Sequence, residues 1–273
     1  MPVHAYLDTN AFRYFGTAFQ NATLPPDLRE RMLHSPLSAF EVMKQLVGRN
    51  GDEVLRQIHA VRNWTNPQHA GLLPASYDVV RSFWLRTPVV DDGFTKNMQR
   101  SFDVCLSTDS VEDLREEAAK HAEFMVNLKL KAAQDFQAML NYARTNPLDM
   151  TEAWFHGIAD SLQADPKSRP IGEIVTVLST YHEYEKSKLQ TALDIPEYNP
   201  LSLTNQNDII DVEQLVYLGD ESLCFLTCDR GLRKRVKQSG QASRIITVAP
   251  EELLDPRKAE ALLRKITKLE AKS

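Results

Sequence analysis

The sequence predicts an α/β protein in which one parallel sheet is split between the two ends of the chain and a long all-helical insertion separates the halves. Three observations predict it. Short apolar runs, residues 3–7 and 223–227, read as buried strands, and an aspartate closely follows each, Asp8 and Asp229. Apolar residues at three- and four-residue spacings fill nearly all of 49–204. Strand and helix signals alternate in 1–48 and return in 205–273, the order that builds a parallel sheet. The chain therefore divides into a core, 1–48 with 205–273, and a helical insertion subdomain, 49–204.

Taken in order, Val-His-Ala-Tyr-Leu at 3–7 is the first strand. Asp8-Thr9-Asn10 follows and can cap a helix over 10–19. A second short strand is expected at 30–34. Ser35-Pro36 then opens a helix, about 37–47, because proline suits a first helical turn; it carries Glu41 among apolar neighbours. Helices are expected over 52–63, 75–85, 110–143, 151–163 and 171–192, separated by breakers such as Asn66-Pro67, Thr87-Pro88, Asn146-Pro147 and Ile195-Pro196. In 110–143 one stripe holds Leu114, Ala118, His121, Met125, Leu128 and Ala132, and this helix is expected to pack as a hairpin arm on 171–192. A helix over about 207–218 begins at Asn207-Asp208 and stops at Gly219. Strands follow at 223–227 and 244–248, then a basic helix at 256–270.

Composition excludes several classes. The 273 residues are 25% charged and 42% hydrophobic, ordinary for a soluble globular chain. No apolar run reaches the roughly 18 to 20 residues that cross a bilayer, and MPVHAYLDTN lacks the marks of a signal peptide, so no membrane partner and a cytoplasmic location are expected. Three cysteines, Cys105, Cys224 and Cys228, form no disulfide framework; period-2 alternation puts the last two on one strand face, as core residues. The seven histidines form no HxxxH pair, which argues against zinc. Net charge is −5, but the segment after Asp229 is locally basic, and Arg230, Arg233 and Lys234 are either phosphate contacts or a solvated helix face. Trp64, Trp84 and Trp154 read as packing residues rather than base-stacking ones.

The acids carry the chemistry. In open parallel sheets ligands bind beyond the carboxyl ends of the strands, where Asp8 and Asp229 stand. Glu41, Asp208 and Asp211 lie on adjacent helices, the last two one turn apart on one face. Carboxylates gathered there repel one another unless a cation joins them, and hard oxygen donors suit Mg²⁺ or Mn²⁺. Each acid also has a bland reading. Asp8 and Asp208 can be helix caps, Glu41 a salt-bridged helix residue, and Asp229 a loop or cap residue.

In this order, Asp8-Thr9-Asn10 after a first strand, Glu41 after Ser35, Asp208-Ile209-Ile210-Asp211 and Thr227-Cys228-Asp229-Arg230 resemble the motifs of PIN-domain nucleases. The resemblance covers about 1–48 and 205–250, and the helical insertion departs from it. It implies a three-layer sandwich around a mainly parallel sheet. It also implies a Mg²⁺- or Mn²⁺-dependent ribonuclease of RNA turnover or of a bacterial toxin or defence system, with RNA preferred over DNA. Asp8, Glu41, Asp229 and one or both of Asp208 and Asp211 would ligate the metal, with Asn10 and Thr227 orienting them. A resemblance to haloacid-dehalogenase-like phosphatases, which use an aspartate nucleophile, would imply an acid two residues after Asp8, where Asn10 stands. The alternative is a non-catalytic PIN-like binding module whose insertion recruits a partner. The sequence leaves open whether the insertion selects substrate, binds a protein such as an antitoxin, or forms a homo-oligomer.

Overall fold

The computed structural model describes residues 3–66, 71–90, 93–145, 149–206 and 208–268. Of the sequence expectations, Pro67, Asn146-Pro147, Asn207, the side chain of Asp208 and residues 269–270 lie outside that description.

Four parallel strands form the sheet, in the order β2-β1-β3-β4: β1 (His4–Leu7), β2 (Met32–His34), β3 (Leu223–Thr227) and β4 (Ile245–Thr247). The two halves of the chain meet at β1 and β3, with Leu7 opposite Leu226. Both strands are covered on each face, as a parallel sheet requires. Ala5, Leu7, Cys224 and Leu226 enter one core, while Tyr6, Leu223 and Phe225 enter the other. The rings of Tyr6 and Phe225 stack with centroids 4.7 Å apart. Period-2 alternation thus sorts the strand residues between two helical layers.

On the first face lie α1 (Thr9–Ala18) and α2 (Pro36–Met43), through Phe12, Phe15, Val42 and Met43. The insertion follows: α3 (Gly51–His59), α4 (Ser76–Leu85), α5 (Phe94–Ser107), α6 (Val111–Thr145), α7 (Met150–Ser161), α8 (Ile171–Val177) and α9 (Ser179–Asp194). After it come α10 (Asp208–Gln214), α11 (Arg230–Arg235) and α12 (Pro256–Lys268). Residues 49–204 supply parts of both cores, with Trp64 and Phe102 on one face and Trp84, Trp154 and Ile174 on the other. The three tryptophans are all buried. Phe136 and Leu140 of α6 meet Leu189 and Ala192 of α9, the hairpin contact expected from the sequence.

Several boundaries differ from the expectations, each for a local reason. The second strand starts at Met32 because a short helix, Pro26–Arg29, precedes it. The 37–47 and 207–218 helices each tighten into a final 3₁₀ turn, Lys44–Val47 and Leu215–Gly219. The 171–192 stretch is two helices, parted at Leu178. Arg244 ends a 3₁₀ turn instead of starting β4, and its guanidinium donates to the carbonyls of Leu218, Asp220 and Leu223. Helix α5 is an element that the sequence reading does not delimit. Gly16 marks a close approach of α1 and α3: a Cβ there would meet Gln57 Cβ at 2.7 Å.

Candidate metal centre

The strand order decides where a site can form. From β1 the chain passes through α1 to β2 on one side, and from β3 through α11 to β4 on the other. Helix α1 packs on one face through Phe12, and α11 on the other through Leu232. The carboxyl ends of β1 and β3 therefore flank the topological switch point, where such sheets leave a crevice. Asp8 directly follows β1, and Asp229 stands two residues beyond the end of β3.

Asp8 is 5% exposed. Its Oδ1 accepts from the Ala11 N–H at 2.5 Å and so caps α1. Its Oδ2 accepts from the Thr227 hydroxyl at 2.5 Å and from the Cys228 N–H at 3.2 Å. The Thr227 oxygen in turn accepts from the Asp229 N–H at 2.9 Å, so one hydroxyl ties the two aspartate positions together. Asp229 is exposed and caps α11 by accepting from the Gly231 N–H at 2.6 Å. Both aspartates thus act as helix caps at the carboxyl ends of their strands.

Burial pushes the Asp8 carboxyl above its ordinary pKa; its three donors oppose this, and the charge of Asp229 adds to the rise. No cationic side chain among the described residues lies within ion-pair distance of Asp8. Cys228, beside it, has its thiol pushed up to about 12, by burial first and then by Asp8 and Glu251.

Glu41, on α2, is joined to this place through Thr9, whose hydroxyl donates to Glu41 Oε2 at 2.8 Å. Its other oxygen meets two ammonium groups, Lys129 Nζ at 2.8 Å and Lys44 Nζ at 3.2 Å. Burial alone would raise the Glu41 carboxyl, but Lys129, Lys44 and Thr9 outweigh it and hold the group below its usual value. Helix α10 reaches the same end of the sheet. Ser38 Oγ lies 3.1 Å from both the Leu7 carbonyl and Gln214 Oε1, and the Tyr6 hydroxyl donates to the Gln214 carbonyl at 2.8 Å. Asp211 precedes Gln214 by three residues, hence by one turn on the same face. The backbone of Asp208 opens the helix.

The structure thus brings Asp8, Asp229 and Glu41 to one edge of the sheet, with α10 alongside. Among the described residues, no three His, Cys, Asp or Glu side chains converge closely enough to hold a metal ion. Asp8 and Asp229 nevertheless fit a hard divalent cation: both offer oxygen, and the buried one lacks a counter-ion among the described residues. Glu41 offers oxygen too, but lysines already occupy it. Asn10 is exposed and makes no hydrogen bond to these carboxylates; Thr9 and Thr227 do the orienting. Arg230, Arg233 and Lys234 are exposed just past Asp229. Sequence reasoning missed Thr9, Lys44 and Lys129. The two near residues could have been suspected from their one-turn proximity to named acids, whereas Lys129 gives no such signal.

Beside the Pro36 end of α2 opens a cleft of about 550 Å³, walled by Phe94, Phe124, Trp154 and Tyr181 and carrying Glu213. No described helix is long and apolar enough to cross a membrane. Compared with known proteins, the chain matches no family model, and neither a curated protein nor a solved structure is significantly similar to it.

Proposed function

We propose that this protein is a PIN-like, metal-dependent nuclease that hydrolyses phosphodiester bonds of RNA, with Asp8, Asp229, Glu41 and an α10 carboxylate, Asp208 or Asp211, holding Mg²⁺ or Mn²⁺. The observation that carries the reading is the buried Asp8, without a counter-ion among the described residues, beside Asp229 at the switch point of a parallel sheet. Such an arrangement is costly in a protein that has no use for a cation there.

A bound divalent ion would polarise the phosphodiester and lower the pKa of a water molecule. The protein's own groups do the rest. Three donors fix the Asp8 carboxylate, so it needs no reorganisation on binding. Thr227 keeps the two strand-end aspartates in register. Arg230, Arg233 and Lys234 engage phosphates along the strand. The same chemistry acts on DNA, so the preference for RNA rests on the resemblance of the motifs.

The test is cleavage of single-stranded RNA with Mg²⁺ or Mn²⁺ by wild type, Asp8→Asn and Asp229→Asn. Both variants are expected to lose cutting while their circular dichroism stays native. Cutting that survives Asp8→Asn discards the mechanism. One observation favours the second reading, a non-catalytic module: Glu41 is already neutralised by two lysines. That reading expects no cleavage by any form.

A further inference from the structure

Lys129 is one of two buried lysines of the insertion among the described residues, with Lys188. The buried stripe of α6 runs Leu114, Ala118, His121, Met125, Lys129, Ala133, Phe136 and Leu140, so a lysine occupies a core position in mid-helix. It is 9% exposed. An ammonium is rarely buried to this degree without a partner, because losing its hydration costs several kcal/mol. One partner is Glu41, 88 residues away in sequence, at 2.8 Å. Yet Glu41 has a local cation already, Lys44, at 3.2 Å in the same helical region. Two ammonium groups therefore crowd one carboxylate oxygen, while Asp8 next door has none among the described residues.

We propose that Lys129 is a built-in stand-in cation: its ammonium holds Glu41 Oε1 in place of the metal, and a divalent ion must displace it to complete the site. The proposal rests on the metal-dependent reading above and adds a regulation to it. Metal occupancy and the seating of α6 are then coupled in both directions, since whatever binds one state of Glu41 disfavours the other. The insertion becomes an internal inhibitor of metal loading. A ligand that shifts α6 away from α2 would raise metal affinity, and a ligand that clamps it would lower it.

Calorimetric titration of Mn²⁺ into the full chain, as wild type, Lys129→Met, Lys129→Arg and Asp8→Asn, tests this without recourse to activity. Lys129→Met is expected to bind Mn²⁺ about tenfold more tightly than wild type, a modest share of what a buried ion pair contributes. Lys129→Arg, which keeps the cation, is expected to stay near wild type. A lysine that merely braces the fold would give Lys129→Met equal or weaker binding, and that result overturns the proposal. Asp8→Asn separates the two failures. If it abolishes binding while Lys129→Met gains nothing, the metal site stands and the stand-in cation does not. If no form binds Mn²⁺, both fall. Should Lys129→Met fail to fold, acetylation of wild-type lysines read by mass spectrometry decides. Saturating Mn²⁺ is expected to raise labelling of Lys129 several-fold, and labelling that stays unchanged on binding is contradictory.

Discussion

His34 gives a prediction whose size follows from its surroundings. It ends β2, is 0% exposed, and is ringed by Phe12, Trp64 and Phe102, with ring centroids 5.3, 6.0 and 5.4 Å away. Neither of its ring nitrogens has a hydrogen-bond partner among the described residues. Burial pushes its pKa down from 6.5 to about 3. The unfolded chain therefore binds a proton near pH 6.5 that the folded chain refuses until about pH 3. The sign follows: the stability tied to His34 is fully present above the unfolded pKa and falls as pH drops towards the folded one. Between pH of about 7.5 and about 5, the loss from this one group is roughly 2 kcal/mol, and its ceiling over the whole window is roughly 5 kcal/mol. Carboxylates contribute over the same range, so the quantity to read is a difference between proteins. His34→Phe removes the titrating group and the two unsatisfied nitrogens while keeping an aromatic in an aromatic cage. Urea unfolding followed by tryptophan fluorescence at the two pH values should show wild type losing roughly 2 kcal/mol more than the variant. Equal losses would refute the claim that a neutral imidazole is locked in this core. The consequence reaches the site, because Ser35, the next residue, caps the helix that carries Glu41.

Gly16→Ala puts a methyl against backbone and Cβ atoms of Gln57, so urea unfolding should reveal a loss of about 1–3 kcal/mol; a gain from better helix propensity would contradict the close approach. Arg244→Gln should cost at least about 2 kcal/mol in the same assay, since its guanidinium serves carbonyls of Leu218, Asp220 and Leu223, and should leave nucleic-acid affinity unchanged. Replacing Arg230, Arg233 and Lys234 together by Gln should leave stability within about 0.5 kcal/mol, because these side chains are exposed. The same triple variant should weaken RNA binding and flatten its salt dependence, by about 0.7 in log–log slope for each phosphate ion pair removed; an unchanged slope removes these residues from the interface.

What is legible in the sequence follows from what each signal measures. Strands β1 and β3 are buried on both faces, so they read as unbroken apolar runs, and the aspartates beyond them mark the carboxyl edge without any knowledge of pairing. The pairing of β1 with β3, which turns two strand ends into one site, joins residues over two hundred apart and leaves no local trace. Helix α6 shows the limit most clearly. After Met125 the apolar choice for the next inward position is Leu128, but the helix turns Lys129 inward, and Leu128 and Ala132 are only half-buried. Periodicity counts apolar residues, and a lysine that faces the core because a glutamate awaits it is invisible to that count. Asp8 shows a different limit: one oxygen caps α1, as the sequence allows, while the other ties the end of β1 to β3 through Thr227, a link with no local trace. Helix α5 escapes the sequence reading although Met98, Phe102, Cys105 and Leu106 carry the period, and all four are buried.

The central claim is that one divalent ion belongs between the ends of β1 and β3. Crystals soaked in Mn²⁺ and measured at the manganese absorption edge test it most directly. The account predicts an anomalous peak in contact with carboxylate oxygens of both Asp8 and Asp229, with Lys129 Nζ withdrawn from Glu41. A peak elsewhere, or none at that edge of the sheet under conditions that saturate binding in solution, would contradict it.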